Sequence, residues 1–148
     1  MGCTIHLYAE KKNSNGRWET IDEWVRDEDG YVKVPRHPED KRTYTHGRNY
    51  NLFTALCGVT SYMFNGDPPI VSKPKGVPED VCFQVLQVIK RWEGDGHNHS
   101  WNTLKELKEF DWSSYGATCD DFRNEVIPKL EAHNVDPEDI RIVYFFDN

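Results

Sequence analysis

The sequence predicts a single α+β domain with a mixed or antiparallel sheet, in which the N- and C-terminal strands are neighbours and about four helices lie between them. Three observations support this fold class. Residues 3–11 alternate in polarity, residues 140–146 are almost entirely apolar, and apolar residues recur at helical spacing between these segments. A length of 148 residues suits one domain, so we assign residues 1–148 to it.

The N-terminal residues predict a series of strands. Cys3, Ile5, Leu7 and Ala9 alternate with polar residues, which predicts a strand with one buried face. A turn at residues 13–16 then leads into a pairing strand within residues 17–26, and residues 31–34 predict a short third strand ended by prolines.

The middle of the chain predicts helices. Residues 52–57 suit a short helix stopped at Gly58, and Pro78 suits the first position of a second helix that extends to Trp92. Two capping-box patterns, residues 103–106 and 118–121, predict the starts of the next two helices, and Pro128 can kink the last of these. The β-branched and aromatic run at 140–146 predicts a largely buried strand.

Charge and composition exclude several classes of function. A net charge of −7 and a pI near 5.3 argue against binding duplex nucleic acid, although one basic pocket can still bind a small anion. The four cysteines form no Cys-x-x-Cys pair, so we expect buried free thiols in a reducing, cytoplasmic compartment. No apolar run approaches the roughly 20 residues that span a bilayer, so we expect no membrane association.

A glycine-rich segment, residues 94–101, is the first candidate for a functional site. It places His97 and His99 two residues apart in what reads as a turn between two helices. Histidine has an ordinary pKa of about 6.5, so these imidazoles can ligate a metal, carry protons or bond a phosphate near neutral pH. We expect an extended segment to direct them to opposite sides and a tight turn to bring them together.

Metal-free chemistry fits these residues better than metal chemistry. Only Asp95 and Asp147 offer nearby carboxylates, so we expect no metal and no other cofactor. One of the candidate catalytic residues His97, His99 and His6 would remove a proton from water or a ribose hydroxyl, and another would protonate the leaving oxygen. Arg48 would hold the phosphate.

Six further residues in polar loops are candidates for binding a nucleotide, because they combine flat rings with polar donors: Tyr44, His46, Arg48, Asn49, Tyr50 and Trp101. Each candidate also has a structural interpretation. Asn49 can cap the helix that follows it, His97 can cap a helix or bond loop carbonyls, and His6 can be a structural histidine. Most of the aromatic rings are expected in the core.

Four segments together resemble a family of small, mostly uncharacterised bacteriophage and prophage proteins: residues 1–6, 47–50, 95–101 and 141–148. Members commonly begin Met-Gly-Cys-Asp-Ile-His and carry a central Gly-His-Ser-His-Ser. The resemblance covers the whole chain and implies no established activity. Thr4 stands where the family usually has aspartate, which removes a carboxylate from the strand face of His6 and weakens a metal site.

Small early phage proteins often act against host defence, so the resemblance favours a counter-defence role in the cytoplasm of an infected bacterium. We expect a His-dependent phosphodiesterase that cleaves a cyclic nucleotide immune signal. The alternatives are a sponge that sequesters the nucleotide, an inhibitor of a host defence protein, and a phage structural or assembly accessory. A homo-oligomer is compatible with each of these.

Overall fold

A computed structural model describes residues 2–30, 32, 37–45, 48–59 and 64–147 of the chain. These residues form one four-stranded sheet, four α-helices and one short 3-10 helix, which confirms the predicted α+β class. The elements are, in chain order, β1 (Thr4–Lys12), β2 (Trp18–Thr20), α1 (Tyr50–Cys57), α2 (Phe83–Arg91), β3 (His97–Thr103), α3 (Leu104–Glu109), the 3-10 helix Trp112–Tyr115, α4 (Asp120–Glu131) and β4 (Ile140–Asp147).

The strand order is β2-β1-β4-β3, and every pairing is antiparallel. The two terminal strands are neighbours at the centre of the sheet, as the sequence predicts. Their register runs from Thr4 opposite Asp147 to Lys11 opposite Ile140. Residues of opposite ends of the chain therefore meet along the whole length of β1.

Both faces of the sheet are buried, so the prediction of one buried face for β1 is wrong. The larger core packs α1, α3 and α4 against the face that carries Leu7 and Tyr144. On the opposite face, Val85 and Val88 of α2 pack against Tyr8 and Val143. The amphipathic helix α2 thus covers the face that the alternating pattern assigned to solvent.

The second predicted strand is shorter than expected. β2 pairs with only three residues of β1, and the following segment makes isolated bridges instead. The buried carboxylate of Asp22 explains this change, because it accepts hydrogen bonds from the Ala9 and Thr43 backbone N–H groups at 2.5 Å each. Of the predicted third strand, only Val32 lies within the described residues, where it bridges to Arg26.

The helix boundaries match the sequence signals in part. α1 ends at Gly58, whose φ of 84° is the left-handed conformation that suits glycine, as predicted. α2 begins at Phe83 rather than at Pro78, because the preceding residues form a turn in which the Val81 N–H bonds the Pro78 carbonyl. Cys82, the residue before the helix, donates its backbone N–H to the Glu10 carboxylate of β1.

One of the two predicted capping boxes forms. Thr103 and Glu106 cap α3 reciprocally, as expected. The second box is wrong: α4 begins at Asp120 without a side-chain cap, and the Thr118 hydroxyl donates to the Tyr115 carbonyl instead. Pro128 lies inside α4.

The four cysteines are buried and free, which confirms the predicted thiols: Cys3, Cys57, Cys82 and Cys119. None of the helices that the structure describes has the length and apolar character needed to cross a membrane.

Candidate functional site

The segment that carries His97 and His99 is a strand, not the predicted turn. β3 is an edge strand that pairs with β4, although its residues are mostly polar. Its buried polar side chains find partners: Asn102 accepts a 2.6 Å hydrogen bond from the Tyr144 hydroxyl, and Ser100 accepts one from the Lys75 N–H. Because these groups are satisfied, a polar sequence can form a buried strand here.

A bulge in β3 separates the two imidazoles. Asn98 has a φ of 52°, and the register shifts between His97 and Ser100, so two residues of β3 lie opposite Phe145 alone. The His97 ring faces Phe146 at 6.2 Å, whereas the His99 ring stacks on Phe145 at 5.3 Å. Residues two apart on a regular strand would share a face, so the expectation that an extended segment alone directs them to opposite sides is wrong, and the bulge is what separates them.

His6 forms the closest acid–base pair at this end of the sheet. Its Nε2 lies 2.5 Å from Asp147 Oδ2, and its ring stacks on Phe145 at 4.8 Å and contacts Trp92 at 4.7 Å. A carboxylate in contact with an imidazole fixes the orientation and tautomer of the ring. Asp147 therefore positions His6 for proton transfer. We call the sheet end that carries His6, His97, His99 and Asp147 the histidine end.

His6 and His99 flank Phe145 on the same face. They belong to strands on either side of β4, so their strands are about 10 Å apart. Burial, and to a lesser degree the nearby His97, lowers the pKa of His99, which favours its neutral form. The His99 ring makes no hydrogen bond or ion pair with another described residue, so its nitrogens remain available.

Glycine limits crowding beside these rings. A Cβ atom at Gly96 would lie 3.1 Å from a Phe145 ring carbon and 3.3 Å from His99 Nε2. The chain after α2 therefore passes directly over this part of the histidine end.

Arg48 and Tyr50 lie at the same end of the sheet, near the start of β1. The Tyr50 hydroxyl accepts a 3.2 Å hydrogen bond from the Cys3 N–H, and a Cβ at Gly2 would be 2.5 Å from Arg48 Nη1. Burial raises the pKa of Cys3, the Asp147 charge adds to this effect and the Arg48 charge opposes it. Arg48 and Asp147 therefore both lie close enough to Cys3 to act on its thiol.

Two other ligand candidates have structural roles. Tyr44 is 4% exposed, and its hydroxyl donates to Asp121 while its ring packs on Phe122. Asn49 caps α1 by accepting from the Leu52 N–H, and its amide donates to Asp121. Of the remaining candidates in this segment, Arg48 and Tyr50 are described, and His46 lies outside the described residues.

Trp101 follows His99 by two residues on β3, but its side chain lines a different site. It lines a surface groove of about 610 Å³ that Trp18, Lys75, Asp80 and Arg141 also line, and we call this the tryptophan groove. Sequence reasoning did not identify Arg141 as a functional candidate. Its signal was a single charge inside the apolar run 140–146, since a charge in a central strand requires a partner.

Among residues 2–30, 32, 37–45, 48–59 and 64–147, no group of three or more His, Cys, Asp or Glu side chains is arranged to hold a metal ion. No protein-family profile, curated protein or solved structure matches the chain.

Proposed function

We propose that the protein binds a small nucleotide at the histidine end and cleaves a phosphodiester bond there without a metal, with His6 as the proton carrier. The observation that supports this most directly is the 2.5 Å contact between His6 and Asp147. An imidazole oriented by a carboxylate is a common arrangement for general acid–base catalysis. The side chains of His6 and Asp147 are 18% and 15% exposed, so both can reach a ligand at the surface.

The proposed step conserves atoms and charge. Neutral His6 takes a proton from water or from a ribose hydroxyl, and that oxygen attacks phosphorus as the ester P–O bond breaks. The leaving oxygen takes its proton from solvent, because His97 lies on the other face of the sheet and burial favours the neutral form of His99, and His6 then returns its proton to solvent. Arg48 stabilises the negative charge on the phosphoryl oxygens, and Asp147 stabilises the positive charge that His6 gains.

The separation of the imidazoles favours a second candidate function. His6 and His99 lie on strands about 10 Å apart with Phe145 between them, and His97 is on the other face. A protein that only sequesters its ligand needs donors around the nucleotide and no pair of groups around one phosphorus atom. The same residues would then form a nucleotide sponge.

The biological setting is part of this proposal. We infer a counter-defence role against a cyclic nucleotide signal in the cytoplasm of an infected bacterium, with inhibition of a host defence protein as the remaining alternative. Self-association is a further expectation that sedimentation equilibrium tests.

Incubation with a panel of cyclic dinucleotides and ADP-ribose derivatives separates the two candidate functions. Chromatography before and after heat denaturation of the protein identifies what is released. A changed nucleotide shows catalysis, and a depleted nucleotide that is recovered intact after heating shows sequestration. Absence of any interaction rejects both.

Substitution of His6 tests its role. We expect His6→Ala to lower kcat by about 10²–10⁴-fold, which is the usual contribution of a general acid or base. The matched control is His133→Ala, because His133 lies within electrostatic range of Lys11, at the opposite end of β1 from His6. Wild-type turnover by His6→Ala would contradict the proposed mechanism.

A further inference from the structure

The tryptophan groove presents a second binding chemistry that does not involve the histidines. Its volume of about 610 Å³ is within the usual range of small-molecule sites, about 300–1,000 Å³. The indoles of Trp18 and Trp101 form its walls together with Val77 and Pro78. Arg141 lies between the indoles, with Cζ 3.8 Å from the ring centroid of Trp18 and 5.4 Å from that of Trp101.

The guanidinium of Arg141 is held in a fixed position. Arg141 is 2% exposed, and its Nε donates a 2.8 Å hydrogen bond to Glu10 Oε1. Glu10 is fully buried and also accepts a hydrogen bond from the Cys82 N–H. Nη2 lies 2.7 Å from Glu10 Oε1 but makes no aligned hydrogen bond with a described residue, so the guanidinium retains donor capacity.

An exposed carboxylate of the protein itself occupies the donors that face the groove. Asp80 Oδ1 accepts a 3.0 Å hydrogen bond from Arg141 Nη1, and Oδ2 accepts a 2.9 Å bond from Trp18 Nε1. The Asp80 side chain is 64% exposed and belongs to the turn before α2. Two fixed donors therefore converge on a carboxylate that solvent can reach.

Asp80 is an anion at neutral pH. Partial burial acts to raise its pKa, but the hydrogen bond and the charge of Arg141, with the Trp18 bond, lower the pKa below its ordinary value. A bound phosphate or carboxylate would accept hydrogen bonds from the same two donors, Arg141 Nη1 and Trp18 Nε1.

We propose that the tryptophan groove binds a nucleoside monophosphate, whose phosphate replaces the Asp80 carboxylate on Arg141 and Trp18 while its base lies against Trp101. Indoles bind bases of any sequence by stacking, and a guanidinium bonds phosphate oxygens through two parallel N–H groups. Lys75 Nζ lies 4.0 Å from the Trp101 ring centroid and 2.7 Å from Glu106 Oε1, so the base would take the place of an ammonium group that Glu106 already neutralises. The groove shares no residue with the histidine end, so this proposal does not rest on the proposed phosphodiesterase.

Calorimetric titration of the full chain with AMP tests the proposal. We expect Asp80→Ala to bind AMP about fivefold more tightly than the wild type, because the variant frees two donors from an exposed carboxylate. Glu79→Ala is the matched control: it removes the same charge from the same groove, and no hydrogen bond or ion pair joins Glu79 to another described residue. It should change the affinity less than twofold. If both variants gained the same affinity for AMP, the proposal would be overturned, because the gain would then depend only on the net charge of the groove.

The indole N–H resonance of Trp18 gives a readout in the unaltered protein, and Trp18→Phe assigns it. Addition of AMP or inorganic phosphate should move this resonance, whereas adenosine should not. The His6→Ala variant should bind AMP at the tryptophan groove with wild-type affinity. A failure of the phosphodiesterase proposal is therefore distinguishable from a failure of this one. A resonance that AMP leaves unmoved, together with no AMP binding by Asp80→Ala, would exclude the site.

Discussion

At the scale of single residues, the pair Glu10 and Arg141 explains how a charged residue can lie inside the C-terminal apolar run. Glu10 and Arg141 are directly opposite in the register of β1 and β4, and both are buried. The sequence shows each charge, but it does not show the register that pairs them.

Glu10→Ala should destabilise the protein by about 3–5 kcal/mol, because it leaves a buried guanidinium with only the exposed carboxylate of Asp80 as a partner. Urea unfolding at pH 7 measures this loss. Lys108→Ala is the control, since Lys108 and Glu131 form an ion pair with both side chains 46% exposed, and its loss should cost less than about 1 kcal/mol. Similar costs for the two variants would contradict the proposed burial of the pair.

His99 should make stability depend on pH. Burial, with a smaller effect of His97, lowers its pKa in the folded state, so the unfolded chain binds a proton more readily. Stability contributed by neutral His99 is therefore present above the unfolded pKa of about 6.5 and is lost as the pH falls through that value. His99→Gln should lose less stability than the wild type between pH 7.5 and 5.5 in urea unfolding. An identical loss in both proteins would show that His99 is not desolvated.

At the scale of elements, capping signals predict a helix start only when the side chains are not needed elsewhere. Thr103 caps α3 as its spacing indicates, whereas Asp121 of the second pattern accepts hydrogen bonds from Tyr44 and Asn49. The sequence contains both patterns, and only the contacts of α4 with the segment before α1 distinguish them.

Thr103→Ala should cost about 1 kcal/mol, since it removes the hydroxyl that accepts the Glu106 N–H. Thr118→Ala removes a hydroxyl that donates to the Tyr115 carbonyl, but the backbone N–H of residue 118 still donates to that carbonyl, so this variant should cost less. Thermal unfolding of the two variants compares them under one condition. A larger effect at Thr118 would contradict the assigned caps.

The histidine segment illustrates why the site was harder to predict than the fold. Glycines and polar residues before Trp101 indicate a turn, but backbone pairing with β4 makes residues 97–103 a strand. The bulge at Asn98 then decides which face each imidazole occupies. Neither the pairing nor the bulge has a local signal, because both depend on the partner strand.

At the scale of the whole molecule, the terminal strands could be predicted because their apolar content is high and their alternation is regular. The burial of the second sheet face could not be predicted. The polar residues of β1 indicate a solvent-exposed face, and only the position of α2 shows that this face is covered. β4 is consequently buried on both faces, with Phe145 1% exposed and Phe146 fully buried.

Phe145→Ala and Phe146→Ala should therefore destabilise the protein to a similar extent, about 3–5 kcal/mol each, because each leaves a cavity in a different core. Urea unfolding of both variants measures the two faces separately. If Phe145→Ala left the free energy of unfolding nearly unchanged, the packing of α2 on this face would be contradicted.

The claim on which the proposed function depends is that a nucleotide binds at the histidine end. Its most direct test is to follow the imidazole proton resonances during titration with the panel of cyclic dinucleotides and ADP-ribose derivatives. For at least one nucleotide, the resonances of His6 and His99 should move together while that of His133 stays in place. Binding that leaves both His6 and His99 unmoved, or no binding by any member of the panel, would contradict the account.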